Sequence, residues 1–408
     1  MSASAPRAAA GAREDDLHAI GDSPMRVVTN GWFWNRPDTG TGQYTRHIAR
    51  LLSALGEQAP DVIVVVPAGQ SPEGAPSHDD FTTDRLKLIR HPIRITHLSK
   101  VWWEQFLIPR MAQQLKADLL HIPYWAPPAR TWGPTVVTIH DLIPLILPPY
   151  RGNPLARLYT SLVAASTPGA TLVITDSEAS RHDILNTLPV SPDRVQVIPL
   201  AVGDSFSPVA GESDRSIRRD WGISEGYLLY LGGFDIRKNL ATMLRAFTYV
   251  SRAVADAQLV IAGRLPTRDS PFTPDPRRLA KEMGIPDCSL HFLGYVPESH
   301  KPALYRGAKA FLFPSRYEGF GYPPLEALSC GVPVVGSNAA SLPEVVGPAG
   351  MLTDPDDAEG MAGAMIQLLI DESFHSELSR RATEQARRFT WARTARLTLK
   401  AYHTALTV

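Results

Sequence analysis

The chain is poor in the features that mark several protein classes. It holds only two cysteines in 408 residues, Cys288 and Cys330, which is too few for a disulfide framework and not spaced as a metal motif. That scarcity points to a reducing compartment, and the cytoplasm is the expected location. Neither sign of charge is in excess: 41 Lys and Arg stand against 41 Asp and Glu. Nucleic acid is therefore not expected as a partner, because that affinity comes largely from neutralising phosphates. No apolar run approaches the roughly 20 residues that span a bilayer. The longest candidate, 135–147, is interrupted by His140, Asp141 and Pro144. Residues 1–24 lack the apolar core of a signal peptide and are expected to form a disordered leader.

What remains is a globular balance, 44% hydrophobic and 20% charged, over a length sufficient for two domains. From Met25 onward, short apolar runs alternate with helical segments. "DVIVVVP" from Asp61 is continuous rather than alternating, as in a parallel strand buried on both faces. "ADLLHIP", "TVVTIHD", "TLVITDS" and "RVQVIPL" follow. A stretch rich in Gly, Pro, Ser and Asp, about 203–214, predicts a linker. Alternation then resumes with "YLLYLGG", "AQLVIAGR", "SLHFLGYV", "AKAFLFPS" and "VPVVGS". The pattern predicts an α/β chain of two doubly wound, Rossmann-like domains, with the ligand in the cleft between them.

Two constellations carry chemistry. In "SRYEGFGYPPLEALSCGVPVV", Glu318 and Glu326 flank Gly319, Gly321 and a Pro-Pro pair. Proline suits a first helical turn, so a loop over 315–322 should precede a helix starting near Pro323 or Pro324. Glu318 would then lie beyond the carboxyl end of a strand, with Glu326 one turn into the helix. Ionised glutamates accept hydrogen bonds and suit the hydroxyls of a ribose or a sugar, although an acid in a first helical turn also has a purely structural use. In "LGGFDIRKNLATMLRAF", Arg237 and Lys238 precede a helix expected to be capped by Asn239. Two cations at a helix amino end suit a diphosphate. A diphosphate, a ribose and a sugar together make a nucleotide sugar.

These motifs resemble retaining glycosyltransferases of family 4, which have the GT-B fold. "EGFGYPPLE" is similar to that family's pair of glutamates separated by seven residues, and "LGGFDIRKN" to its phosphate-binding turn. "TIHD", "TDSEAS", "VIPLAVGDSFSP", "LVIAG", "FLGYV" and "SLPEVVGPAG" fall in the family's order. "FDIRKN" and "WWEQFLIP" look most like mannosyltransferases that build bacterial surface polysaccharides. The resemblance implies an acceptor-side domain over 25–203, a donor-binding domain over 204–390 and a last helix, 391–408, crossing back to the first domain. It implies that Arg237 and Lys238 hold the donor diphosphate, that Glu326 binds ribose, and that Glu318 holds the donor sugar near amides of Phe320, Gly321 and Tyr322, with Leu325 beside them. Gly294, Tyr295 and Val296 would border the base. His140 would face the reacting sugar, and a loop carrying Gly40, Gly42 and Tyr44 would approach donor or acceptor. Where the family has an arginine in the phosphate turn this chain has Gly233, a departure for which Arg237 is the expected substitute.

The implied activity is transfer of a hexose, mannose from GDP-mannose first among the candidates, to a saccharide or lipid-linked saccharide acceptor, with no cofactor and no metal. UDP-glucose or dTDP-rhamnose as donor, a glycosidase using the paired carboxylates, and a non-catalytic nucleotide-sugar-binding partner are the alternatives. The helix from Ser99, with Trp102, Trp103, Phe106 and Leu107, could touch a membrane-borne acceptor at the inner face or pack its aromatics in the core. His121, His182 and His291 are expected to serve packing or surface roles, and Cys330 to be buried.

Overall fold

The computed structural model describes residues 24–36, 39–68, 84–94 and 96–408. The expected leader thus lies almost wholly outside the described residues. The first half contains strands β1 (Arg26–Asn30), β2 (Asp61–Ala68), β3 (Leu86–Pro92), β4 (Leu119–Ile122), β5 (Thr135–Thr138), β6 (Leu172–Thr175) and β7 (Val195–Val197). Its helices are α1 (Gly40–Ser53), α2 (His97–Trp102), α3 (Ile108–Gln114), α4 (Ile143–Ile146), α5 (Pro154–Ser166) and α6 (Glu178–Thr187). A single π-helical turn, Trp103–Leu107, joins α2 to α3. All pairings are parallel and the strand order is 3-2-1-4-5-6-7.

The second half repeats the architecture with β8 (Tyr227–Leu231), β9 (Leu259–Ala262), β10 (Leu290–Gly294), β11 (Ala308–Phe313), β12 (Val334–Ser337) and β13 (Gly350–Thr353), in the order 10-9-8-11-12-13. Its helices are α7 (Asp214–Asp220), α8 (Leu240–Ala253), α9 (Pro276–Glu282), α10 (Lys301–Gly307), α11 (Tyr322–Ser329), α12 (Leu342–Val346), α13 (Ala358–Ile370), α14 (Glu372–Ala386) and α15 (Trp391–Thr407). The apolar strand runs are buried because helices cover both faces of each sheet: β2, β8, β9 and β11 are almost solidly buried. Among the described residues no helix is long and apolar enough to cross a membrane.

Strand order reverses between β1 and β4 in one sheet and between β8 and β11 in the other. Open parallel sheets bind ligands at such switch points, beyond the carboxyl ends of the strands. The loops carrying Lys238 and Glu318 follow β8 and β11, so they flank the second switch point. Helix α15 returns to the first domain: Trp391 stacks on His47 of α1 at 4.6 Å, and Tyr402 reaches His121 of β4.

The loop expected at Gly40 and Gly42 is not found. Gly40 and Gly42 lie in the first turn of α1 rather than in a loop, because Thr39 Oγ1 accepts from the Gly42 amide (3.1 Å) and starts the helix there. Tyr44 is buried, with its hydroxyl 3.1 Å from Thr138 Oγ1. It presents no surface to a ligand.

Candidate active site

Arg237 and Lys238 occupy a short 3-10 turn between β8 and α8. The following residue, Asn239, adopts a left-handed conformation (φ 55°), which asparagine tolerates better than most residues. Contrary to expectation its side chain does not cap α8. Its Nδ2 donates to the carbonyls of Pro314 (3.1 Å) and Pro355 (2.6 Å), tying the cationic turn to the end of β11. That tie brings both cations onto one carboxylate: Arg237 Nη1 and Lys238 Nζ each lie 2.7 Å from Glu318 Oε1. All three side chains are only 12–13% exposed. Burial works against ionisation of Glu318, but Lys238 and Arg237 outweigh it and hold the carboxyl below its ordinary range. Arg237 and Lys238, expected to hold a diphosphate, and Glu318, expected to hold a sugar, therefore form one ion triad.

The loop after β11 is shaped by two glycines. Gly321 has φ 112°, outside the reach of ordinary side chains, and it starts α11. Gly319 lies against the other domain: a Cβ built there would come 2.2 Å from the carbonyl oxygen of His140. Ser177 Oγ donates to the Gly319 carbonyl at 2.6 Å, and Ser180 Oγ lies 3.0 Å from it. Tyr317 donates to Asp183 (2.7 Å), and the Glu344 carboxylate accepts from the amides of Glu178 and Ala179 at the start of α6 (2.8 and 2.7 Å). The two walls of the cleft are in direct contact here.

His140 stands two residues past β5, with its Nδ1 2.6 Å from Asp176 Oδ2 and its Nε2 3.3 Å from the Pro123 carbonyl. Burial alone would push its pKa down. Asp176, through charge and hydrogen bond, reverses this and holds the imidazole above its ordinary value. Asp176 was not singled out by sequence reasoning, yet a signal exists. Val136 pairs with Leu172 across β5 and β6, an offset of 36, and the same offset carries His140 onto Asp176.

Glu326 lies on α11 and is buried. Its Oε2 accepts from the Tyr305 hydroxyl (2.7 Å), and Lys301 Nζ is 4.0 Å from Oε1. Burial raises its pKa, with Lys301 only partly countering. Lys301 also pairs with Glu298 at 2.6 Å. Glu298, Tyr322 and Glu326 line a cavity of 290 Å³ that is also lined by Gln43, His47 and Trp391. The Tyr322 hydroxyl is buried without a hydrogen-bond partner. Sequence reasoning missed Glu298, Lys301 and Tyr305, whose types and spacing carry no motif.

The remaining expected residues divide. Tyr295 projects beyond β10, with the Arg264 guanidinium 5.3 Å from its ring centre. Gly294 turns the chain there with φ 70°, and Val296 is buried behind it. Phe320 packs edge-on against Tyr322 and Phe389. Leu325 is fully buried in the core, so its side chain cannot reach a ligand. Gly233 lies two residues past β8, its carbonyl taken by the Tyr230 hydroxyl.

Residues 40–205 match the family described as Glycosyltransferase Family 4, and residues 213–389 match Glycosyl transferases group 1. The chain is 30% identical to O-antigen chain mannosyltransferase B of Escherichia coli over 379 residues, covering 90% of this chain and 96% of that protein. It is 29% identical to MMP alpha-(1->4)-mannosyltransferase of Mycolicibacterium hassiacum, with 90% and 95% covered. Among solved structures, sucrose-phosphate synthase of Thermosynechococcus elongatus superposes with a TM-score of 0.71 at 21% identity, over 93% of this chain and 98% of that one. With two parallel-sheet domains in contact across a cleft, and likeness across nearly the whole length of a relative, the chain belongs to the family 4 glycosyltransferases of GT-B fold.

Proposed function

We propose that the protein transfers mannose from GDP-mannose, with retention at the anomeric carbon, to a hydroxyl of a saccharide or lipid-linked saccharide during synthesis of a bacterial surface polysaccharide. The observation that carries this reading is the Arg237–Lys238–Glu318 triad at the β8/β11 switch point, in contact across the cleft with the segment bearing His140. Two cations and the amino end of α8 form a place for a diphosphate, and an arriving diphosphate would compete with Glu318 for them. Glu318, once displaced, lies beside the phosphate with two free acceptor oxygens for sugar hydroxyls. Arg237 takes the place of the family arginine that Gly233 lacks.

In the step itself, the bond between the anomeric carbon and the phosphate oxygen breaks while the acceptor oxygen bonds to the same face. The acceptor proton passes to the departing phosphate. Arg237, Lys238 and the helix amides stabilise the charge that develops there, without a metal. His140, oriented by its bond to Asp176, faces the reacting sugar from the first domain.

The mannosyl choice rests on the relatives named as mannosyltransferases. The guanine choice has physical support from Glu298, which lies beside the ribose-side Glu326 in one cavity. A carboxylate there accepts from both the ring N–H and the amino group of guanine. Uracil and thymine offer one N–H between two carbonyls, which a carboxylate repels. GDP-mannose should therefore raise the melting temperature more than UDP-glucose or dTDP-rhamnose, a hundredfold excess over Kd being worth about 2.7 kcal/mol. Lys238→Ala should lower turnover at least ~100-fold. A UDP-sugar stabilising most would overturn the guanine reading; near-parental turnover by both Lys238→Ala and Glu326→Ala would overturn the site.

A further inference from the structure

The turn that carries Arg237 and Lys238 has its binding groups already taken, and one of the occupants comes from the other domain. Within the turn, the Lys238 amide donates to the Asp235 carbonyl (2.9 Å) and the Asn239 amide to that of Ile236 (3.2 Å). The two amides before them have no partner inside the turn, as at the start of any helical segment. That of Ile236 donates to the Phe272 carbonyl at 2.9 Å, and that of Arg237 to the Tyr150 hydroxyl at 3.2 Å. The same hydroxyl donates to Asp235, and the Tyr150 ring packs against Phe272 with 4.9 Å between centres. Phe272 lies between β9 and α9 of the second domain, whereas Tyr150 belongs to the first. The two cationic side chains are engaged as well, Lys238 with Glu318, and Arg237 with Glu318 and the Tyr317 carbonyl (2.7 Å).

Tyr150 is built to let go. It ends a short 3-10 turn, Pro148–Tyr150, that follows closely on α4, and no residue of either element is fully buried. Pro148, Pro149, Arg151 and Gly152 are exposed. A segment with so little buried apolar surface opens locally at low cost. Burial and the bond to Asp235 push the Tyr150 pKa up to about 12, so the hydroxyl is neutral. A phosphate oxygen is the stronger acceptor, its hydrogen bonds being roughly twice as strong as those between neutral groups. A single N–H serves one acceptor well, so an anion held by Arg237 and Lys238 takes the Arg237 amide in place of Tyr150.

We infer that Tyr150 is an autoinhibitory stopper on the phosphate turn. In the nucleotide-free protein the first domain reaches across the cleft, holds the Arg237 amide through this hydroxyl, and releases it when a diphosphate takes its place. The released segment belongs to the first domain, so arrival of the donor on one side of the cleft is felt on the other. The inference rests on the diphosphate reading of Arg237 and Lys238 given above.

Tyr150→Phe removes the hydroxyl and keeps the ring against Phe272. Titration calorimetry of the full chain with inorganic pyrophosphate, GDP and UDP compares this variant with the parent. Pyrophosphate meets the turn whatever base or sugar the natural donor carries. Whichever of the three the parent binds, Tyr150→Phe should bind about threefold to tenfold more tightly, the worth of one hydrogen bond that no longer has to be broken. Hydrogen exchange at the Arg237 amide should be faster in the variant without ligand, and should slow in both proteins once the ligand is bound. Equal affinities would overturn the inference, because the hydroxyl would then compete with nothing. Weaker binding by Tyr150→Phe would overturn it as well, by making the hydroxyl a ligand of the phosphates. Both results leave the diphosphate reading standing, since the parent binds. Failure of either protein to bind any of the three would instead overturn that reading, and the stopper with it.

Discussion

At the scale of single residues, the site is governed by where one carboxylate puts its charge. Glu318 neutralises Arg237 and Lys238 together, through a single oxygen 2.7 Å from each. Under the proposed function, a diphosphate bringing two negative charges must outcompete it, so the side chain proposed to hold the sugar would also weaken binding of nucleotide without sugar. Glu318→Gln separates these roles. The variant leaves the mostly buried Lys238 without its counter-charge and Arg237 with only Asp235 at 3.6 Å, a loss on the order of 3–5 kcal/mol in comparable cases, part of which a bound diphosphate restores. GDP should therefore bind Glu318→Gln more tightly than it binds the parent, by about tenfold or more, while turnover falls at least ~100-fold. Titration calorimetry with GDP, alongside steady-state rates, checks both halves. Equal GDP affinity in variant and parent would show that the triad places no toll on the nucleotide.

At the scale of elements, the cleft closes through backbone. The loop from β11 to α11 meets the His140 carbonyl so closely that Gly319 has no room for a methyl group. Neither atom belongs to a flexible side-chain end, so Gly319→Ala must push the loop off the start of α6 and break the Ser177 bond. The donor is expected to bind mainly to the second domain, so its Kd should change by no more than a few fold. Turnover should fall about 100-fold, as expected when reacting groups shift by about 1 Å. Turnover at the parental rate would show that closure is not required. Much of this architecture was legible in the sequence because its signals are local. Continuous apolar runs marked β2, β8 and β11, and Gly and Pro marked the loops at the second switch point. The failures have physical reasons as well. Gly40 and Gly42 look like loop residues, but the Thr39 cap draws them into α1. Strand β3 is an edge strand only partly buried, so it has no solid apolar run. Helix α5 escapes a periodicity argument because its outward face is itself apolar. The partnership of His140 with Asp176 is set by register between two strands, which a single segment cannot display.

At the scale of the whole molecule, α15 fastens the second domain to the first through a buried polar chain. The Tyr402 hydroxyl lies 2.8 Å from His121 Nδ1, and His121 Nε2 lies 2.9 Å from Thr138 Oγ1. Thr394 adds a bond to the Pro199 carbonyl at 2.7 Å. His121 was expected to serve packing, and it does so at the junction of the two domains. Burial, aided by the charge of nearby His140, pushes its pKa down to about 3. The unfolded chain takes up this proton near the ordinary value of about 6.5 while the folded protein refuses it. The stability that His121 contributes is thus fully present above about pH 6.5 and is lost progressively as pH falls towards about 3. The slope approaches 1.4 kcal/mol per pH unit for one proton. His140 acts with the opposite sign: its raised pKa contributes stability at low pH that is lost as pH rises through the folded value. A comparison of His121→Gln with the parent largely cancels His140, since both proteins carry it, along with the carboxylates that dominate acid unfolding. Glutamine cannot take up a proton, and it retains a polar group for Thr138 or Tyr402. The melting temperature of the parent should therefore fall more steeply than that of His121→Gln between about pH 6.5 and about pH 4.5. If the two slopes coincide, the domain junction excludes no proton at His121, and the acid sensitivity of this protein resides in its carboxylates alone.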